Sequence, residues 1–156
     1  GQLKTVTVTS TKSAQDPTKA AVQVTVGLGY DFPFKVAVDI DPSIGGPSAG
    51  MMFTTAIYDT LTPGALTGGK SIAGTGTIDV DGKVGPIGGI QQKLAAAEAA
   101  GAKLFLAPAG NCAEVVDSGW ADHEMRVVRV DTFDQAITDI EAWRDDPQAT
   151  LAACTS

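Results

Sequence analysis

Residues 85–108 read GPIGGIQQKLAAAEAAGAKLFLAP, and the fold class turns on how this stretch is read. Gly85-Pro86-Ile87-Gly88-Gly89 is a breaker-rich connection. From Ile90 to Ala100 the residues are mostly small, unbranched helix formers, and Gly101 stands where the glycine just past a helix end belongs. Lys103–Ala107 then reads as a short buried strand, apolar after its first residue. A helix that feeds directly into a buried strand is a unit of α/β architecture.

Working outward, the pattern repeats on the C-terminal side. Asn111 with Glu114 opens a short helix, and Met125–Val130 is another strand. A last helix starts with the capping-box pair Thr132 and Gln135 and buries Phe133, Ile137, Ile140 and Trp143. On the N-terminal side, Ala49, Met52, Phe53, Ala56, Ile57 and Leu61 follow helical spacing, closed by Pro63-Gly64. Ser71–Val80 and the residues after Lys83 are extended and joined by Asp81-Gly82, a two-residue hairpin signal. Leu3–Ser10 and Ala21–Leu28 alternate as a hairpin whose loose tip is Thr11–Lys19, and Lys35–Ile40 is a third strand. Strands lead and βα units follow, with no linker-like break and no internal repeat. The expectation is one α/β domain over residues 1–156.

The composition suits that expectation. Apolar residues make up 44% of the 156 and charged residues 19%. The net charge of −7, with no run of Lys or Arg, argues against a nucleic-acid partner. No apolar stretch reaches the roughly 18 residues that span a bilayer. The chain begins with Gly1 rather than Met and enters a strand pattern at once, which reads as a processed or excised piece whose upstream part, a signal or anchor included, is out of view.

Two cysteines, Cys112 and Cys154, are either two ordinary thiols or a disulfide that ties down the C-terminal tail. In the chain-entropy model such a bridge contributes roughly 4 kcal/mol. Their spacing suits no zinc site, and the single histidine, His123, assembles no metal cluster. Neither metal nor cofactor is expected.

Chemistry concentrates at three places. Gly46-Pro47-Ser48-Ala49-Gly50 sets one serine among small residues where a helix begins. Unpaired N–H groups and the positive end of the helix dipole can there stabilise an oxyanion, with the backbone of Pro47, Ser48 and Ala49 as the candidate lining. A plain helix-capping serine is the structural alternative. Lys93 lies on the next helix with Gly89, Ile90, Ala96 and Ala97 as its i±3 and i±4 neighbours, none a carboxylate, while Glu98 points elsewhere. If that face is buried, desolvation favours the neutral amine, which can take a hydroxyl proton. If it is exposed, Lys93 is an ordinary surface lysine. Thr75, within Gly74-Thr75-Gly76, either holds the amine by a hydrogen bond or is a strand threonine.

Two other motifs are set aside on context. The Ser48 pentapeptide satisfies G-x-S-x-G, but a Pro/Gly-bearing loop rather than a strand precedes it, and His123 lies in a polar Asp122-His123-Glu124 turn. Residues Gly64–Ser71 satisfy the phosphate-loop pattern G-x-x-x-x-G-K-S, yet a helix precedes them and a strand follows, the reverse of what phosphate binding needs.

In order, Gly46–Gly50, Ala73-Gly74-Thr75-Gly76-Thr77-Ile78 and Pro86–Lys93 resemble the successive motifs of the Lon protease proteolytic domain. The similarity runs on through Ala95–Lys103 into Leu104–Pro108. The resemblance implies the ribosomal-S5-domain-2-like fold, an α/β (α+β) arrangement of mixed sheets with packed helices. It also implies hydrolysis of peptide bonds in flexible polypeptides through an acyl-enzyme, with Ser48 the nucleophile, Lys93 the general base and Thr75 the hydroxyl that orients the lysine. Members often form rings, so a homo-oligomer is expected. Within the family the wording is nearest to bacterial proteins that join a PDZ domain and an N-terminal membrane anchor to this domain. That subgroup implies an extracytoplasmic, membrane-anchored protein, a setting that suits a Cys112–Cys154 bridge. Gly45 departs from the acidic residue that Lon proteases usually carry three positions before the serine. No ATPase module accompanies these residues, so cleavage is expected to be independent of ATP. The alternative is a binding or scaffolding domain that kept the fold and lost productive geometry.

Overall fold

The computed structural model describes residues 5–14, 16–22, 33–37, 39, 46–120 and 123–155. They fall into two groups, residues 1–35 and 36–156, taken separately below.

In the first group, strand β1 (Thr11–Lys12) pairs antiparallel with β2 (Ala20–Ala21) in the register Thr11↔Ala21 and Lys12↔Ala20. A hairpin is present, but its ladder lies in what the sequence read as the tip. Asp16 closes the turn: its carboxylate accepts from the Thr18 N–H at 3.1 Å and from the Thr18 hydroxyl at 2.6 Å, and these bonds hold its pKa below the ordinary value. Residues 5–10, expected as strand, form none. Their alternating valines Val6 and Val8 are exposed, 72% and 56%, so no buried face stabilises a longer ladder. The second expected strand falls mostly on residues outside those described. Of the expected third strand, residues 35–37 and 39 are not strand, and residues 38 and 40 lie outside the described set.

The second group is layered α/β/α. Its central sheet is parallel, with β3 (Ile72–Gly74), β6 (Leu104–Pro108) and β7 (Arg126–Val130) in the order β3-β6-β7. A separate hairpin pairs β4 (Thr77–Ile78) with β5 (Val84–Gly85). Helix α1 (Gly50–Leu61) precedes the sheet, α2 (Ile90–Ala99) and α3 (Cys112–Asp117) lie in the crossovers, and α4 (Phe133–Asp145) follows β7. The extended segment expected over Ser71–Val80 is thus two strands belonging to different sheets.

Side-chain alternation along β6 divides the core. Leu104 and Leu106 face Met51 of α1 and Ile137, Ile140 and Trp143 of α4. Phe105 and Ala107 face Ile90 and Leu94 of α2 and Val115 of α3. All five β6 residues are buried, as a central parallel strand requires. Helix α2 ends as its sequence predicts. Gly101, at φ +83°, lets its own N–H reach Glu98 O and the Ala102 N–H reach Ala97 O. This closes a Schellman motif whose Ala102 packs into the same core as Ala97. At α4, the Thr132 hydroxyl accepts from the Gln135 N–H, while the Gln135 side chain accepts from the Asp131 N–H, one residue before the usual capping-box partner.

The C-terminal tail covers the free edge of β7. Arg129 N–H donates to Ala152 O at 2.8 Å, Val128 bridges Ala153, and Arg126 donates to the carbonyls of Pro147 and Ala149. A disulfide between Cys112 and Cys154 anchors this tail to the start of α3. Among the described residues no helix is long and apolar enough to cross a membrane, and no group of His, Cys, Asp and Glu could hold a metal ion.

Candidate active site

Ser48 occupies a single 3-10 turn, Pro47–Ala49, that runs straight into α1. Pro47, with its fixed φ and no N–H to satisfy, suits the first position of a helical turn. The Ser48 carbonyl takes two donors, the Gly76 N–H at 2.8 Å and the Thr75 hydroxyl at 2.9 Å. The Met51 N–H returns the grip by donating to Gly76 O at 3.0 Å.

This explains the break between β3 and β4. Thr75 and Gly76 leave the sheet edge to hold the serine turn, and the Thr75 N–H stays on Leu106 O at 3.1 Å. Gly76 must be glycine for space, because a Cβ there would lie 2.7 Å from Val84 Cγ1. Thr75 is 2% exposed, so its hydroxyl is buried and spent on this one bond.

That role differs from the one expected. Thr75 shares no hydrogen bond with Lys93; it holds the backbone of the serine instead. Of the three backbone positions expected to line an oxyanion pocket, Pro47 carries no N–H and drops out. The N–H groups of Gly50 and Met51 are already engaged, with Pro47 O and Gly76 O respectively.

Lys93 sits in the first turn of α2, half-buried beside buried Ile90 and Ala97. Its Nζ donates to Gly88 O at 2.9 Å, and no carboxylate pairs with it among the described residues. Nor does a hydrogen bond join Ser48 Oγ to Lys93 Nζ there. Glu98 is turned away, with His123 Nδ1 3.1 Å from Glu98 Oε1 and the imidazole stacked on Trp120 with ring centres 4.0 Å apart. The lone histidine is therefore engaged far along the chain from Ser48, and no Ser–His pair forms.

The phosphate-loop look-alike is also accounted for. Lys70 Nζ donates to Arg144 O at 2.8 Å, capping the C-terminal end of α4, and lies 5.0 Å from the Trp143 ring centre. No helix follows Ser71; β3 does.

One residue the sequence reading passed over bears on the lysine. Buried Asn111, expected only to open a helix, binds both backbone groups of Ile87. An asparagine at a helix start is so common a cap that its type alone could not reveal this. A cavity of about 510 Å³ lies elsewhere, under the C-terminal tail, lined by Lys103, His123, Arg126, Trp143, Leu151 and Cys154 among others. It includes none of Ser48, Thr75 and Lys93, and its cysteine is tied up in the disulfide.

Comparison with known proteins agrees with this architecture. Residues 1–141 match the family model for the Lon protease (S16) C-terminal proteolytic domain. The Lon protease of Campylobacter concisus is 40% identical over 110 residues, covering 69% of this chain and 13% of that protein. The Lon protease of Metamycoplasma arthritidis is 44% identical over 72 residues, 46% of this chain and 8% of that protein. That of Trichlorobacter lovleyi is 37% identical over 93 residues, 59% and 11% respectively. The chain thus matches only about a tenth of the length of these relatives. With a parallel α/β core, the motifs in order and a family match over nearly its whole length, the chain belongs to the Lon protease (S16) C-terminal proteolytic domain family.

Proposed function

We propose that this domain cleaves peptide bonds, with Ser48 as nucleophile and Lys93 as general base. The observation that carries the reading is the double grip on the Ser48 carbonyl by the Thr75 hydroxyl and the Gly76 N–H, which holds one serine at the mouth of α1. The setting of Lys93 supports its part. Its Nζ is held by one hydrogen bond to Gly88 O, and no carboxylate pairs with it among the described residues.

In the first step Ser48 Oγ bonds to the substrate carbonyl carbon and its proton passes to Lys93 Nζ. The carbonyl oxygen becomes an oxyanion at the positive end of the helix dipole. The C–N bond then breaks, the leaving amine takes the proton from Lys93, and Ser48 carries the acyl group. Water attacks the ester, gives its proton to Lys93, and the proton returns to Ser48 as the acid departs. This mechanism requires Ser48 Oγ and Lys93 Nζ to come within hydrogen-bond reach in the substrate complex, where catalytic hydrogen bonds tighten.

The substrates are flexible polypeptides, and the chemistry of this domain needs no ATP. The phosphate-loop-like stretch Gly64–Ser71 offers no lysine for a nucleotide, since the Lys70 amine is committed to the end of α4. The disulfide supports an extracytoplasmic setting. The PDZ domain, the membrane anchor and the homo-oligomer are proposed from the resemblance of the motifs alone.

The test is cleavage of an unfolded polypeptide by the full chain without ATP, with serine labelling by a fluorophosphonate. Ser48→Ala and Lys93→Ala should both lose cleavage while keeping a native melt, and His123→Ala should not. Unchanged activity in Lys93→Ala would end the dyad reading. A second reading, a binding or scaffolding domain, is favoured by the engagement of the lysine with Gly88 rather than with the serine. It predicts no labelling at Ser48.

A further inference from the structure

Asn111 opens α3, yet its side chain caps no backbone N–H of that helix. At such a position an asparagine oxygen ordinarily accepts from an N–H two or three residues on. Here Oδ1 accepts from the Ile87 N–H at 2.9 Å and Nδ2 donates to the Ile87 carbonyl at 2.8 Å. The second Nδ2 hydrogen goes to Glu114 Oε1 at 3.1 Å, so the amide is satisfied although only 1% of the residue is exposed. Gripping both main-chain groups of one residue fixes its place and its orientation together.

Ile87 is the last residue before Gly88-Gly89, the pair that leads into α2. Gly88 in turn supplies the carbonyl that holds Lys93 Nζ. The neighbouring residue helps to seat the same loop: a Cβ on Gly110 would stand 3.0 Å from Pro86 Cβ, so the β6–α3 junction lies directly against it. Two consecutive glycines have wide conformational freedom. Without an anchor at Ile87, the Gly88 carbonyl would have many places to be.

We infer that Asn111 is a positioning residue for Lys93, setting the Gly88 carbonyl that holds the amine by fixing Ile87. The inference rests on the reading of Lys93 as the base. It explains why the helix-start asparagine forgoes capping, and why a polar amide is buried at the junction of β6 and α3.

The test is acylation of Ser48 by a fluorophosphonate in the full chain, resolved into the maximal rate and the half-saturating probe concentration. Asn111→Asp keeps the side-chain volume but sets a carboxylate oxygen against the Ile87 carbonyl. Asn111→Ser adds no charge and is too short to grip both groups. Both should lose about tenfold or more in maximal rate, with half-saturation within about twofold, since a misplaced base slows the chemical step without weakening probe binding. A native melt with an unchanged maximal rate in either variant overturns the inference. So does loss of a cooperative melt in both, which would make Asn111 a structural strut. Lys93→Ala is run alongside: if it acylates like the parent, the dyad reading itself fails, whatever the Asn111 variants do.

Discussion

Replacing Thr75 by valine removes one buried hydroxyl and nearly preserves the side-chain shape. The lost bond is the 2.9 Å contact from Thr75 Oγ1 to the Ser48 carbonyl. That carbonyl keeps its other donor, the Gly76 N–H at 2.8 Å, so no acceptor is orphaned and the heavy cost of an unsatisfied buried group is avoided. What remains is the net worth of one hydrogen bond, about 1 kcal/mol, partly offset by the methyl that takes the hydroxyl's place. For a domain of this size that lowers Tm by about 2–4 °C. The effect on chemistry should be larger than the effect on stability. With one of two restraints gone the serine turn can shift, and a displacement of well under 1 Å suffices to slow acylation by about tenfold. Thr75→Ser keeps the donor and should acylate near the parent rate. The assays are a thermal melt and the rate of fluorophosphonate labelling. A Thr75→Val protein that both melts and labels like the parent refutes the reasoning. So does a loss above about 3 kcal/mol, which would mean that the Gly76 N–H cannot hold the turn alone.

Asp139 offers a pH-dependent test. It is 9% exposed, its Oδ2 has no hydrogen-bond partner, and desolvation by burial raises its pKa, with Gln135 and Arg126 opposing. A carboxyl whose folded pKa is raised favours folding in its protonated form, so its penalty is absent below the ordinary aspartate range and grows as pH rises through the folded value. Asp139→Asn should therefore stabilise at pH 7 by about 1 kcal/mol, with the gain fading in melts below about pH 4. Cys112→Ser with Cys154→Ser opens a loop of sequence separation 42 and should cost about 4 kcal/mol in denaturant unfolding. Lys70→Met removes the cap on Arg144 O and the contact over Trp143, for a loss of about 1 kcal/mol. ATP should raise the Tm of neither that variant nor the parent.

Legibility in the sequence followed the physics of each element. Helices α1, α2 and α4 were readable because apolar spacing, Gly101 and Thr132 all pointed one way. Strand β6 was readable because a parallel strand buried on both faces is apolar throughout its length. The N-terminal strands misled because alternation signals a strand only when one face is buried, and Val6 and Val8 are exposed. The Ser71–Val80 stretch reads only as one extended segment because nothing local marks where a chain leaves its sheet. That exit at Thr75-Gly76 is made for a partner 27 residues upstream.

By itself, the order of residues determined the α/β class, the glycine end of α2, the threonine start of α4 and the family, since these depend on neighbours along the chain and on motifs in series. It also nominated Ser48 and Lys93. Which atoms those side chains and their supports touch was decided by the tertiary structure alone. The Thr75 hydroxyl serves the serine's backbone, Lys70 closes a helix rather than a phosphate loop, and Asn111 holds the loop before the lysine. The reason is that a buried polar group must find a partner wherever packing brings one within reach, and that distance is not written in sequence spacing.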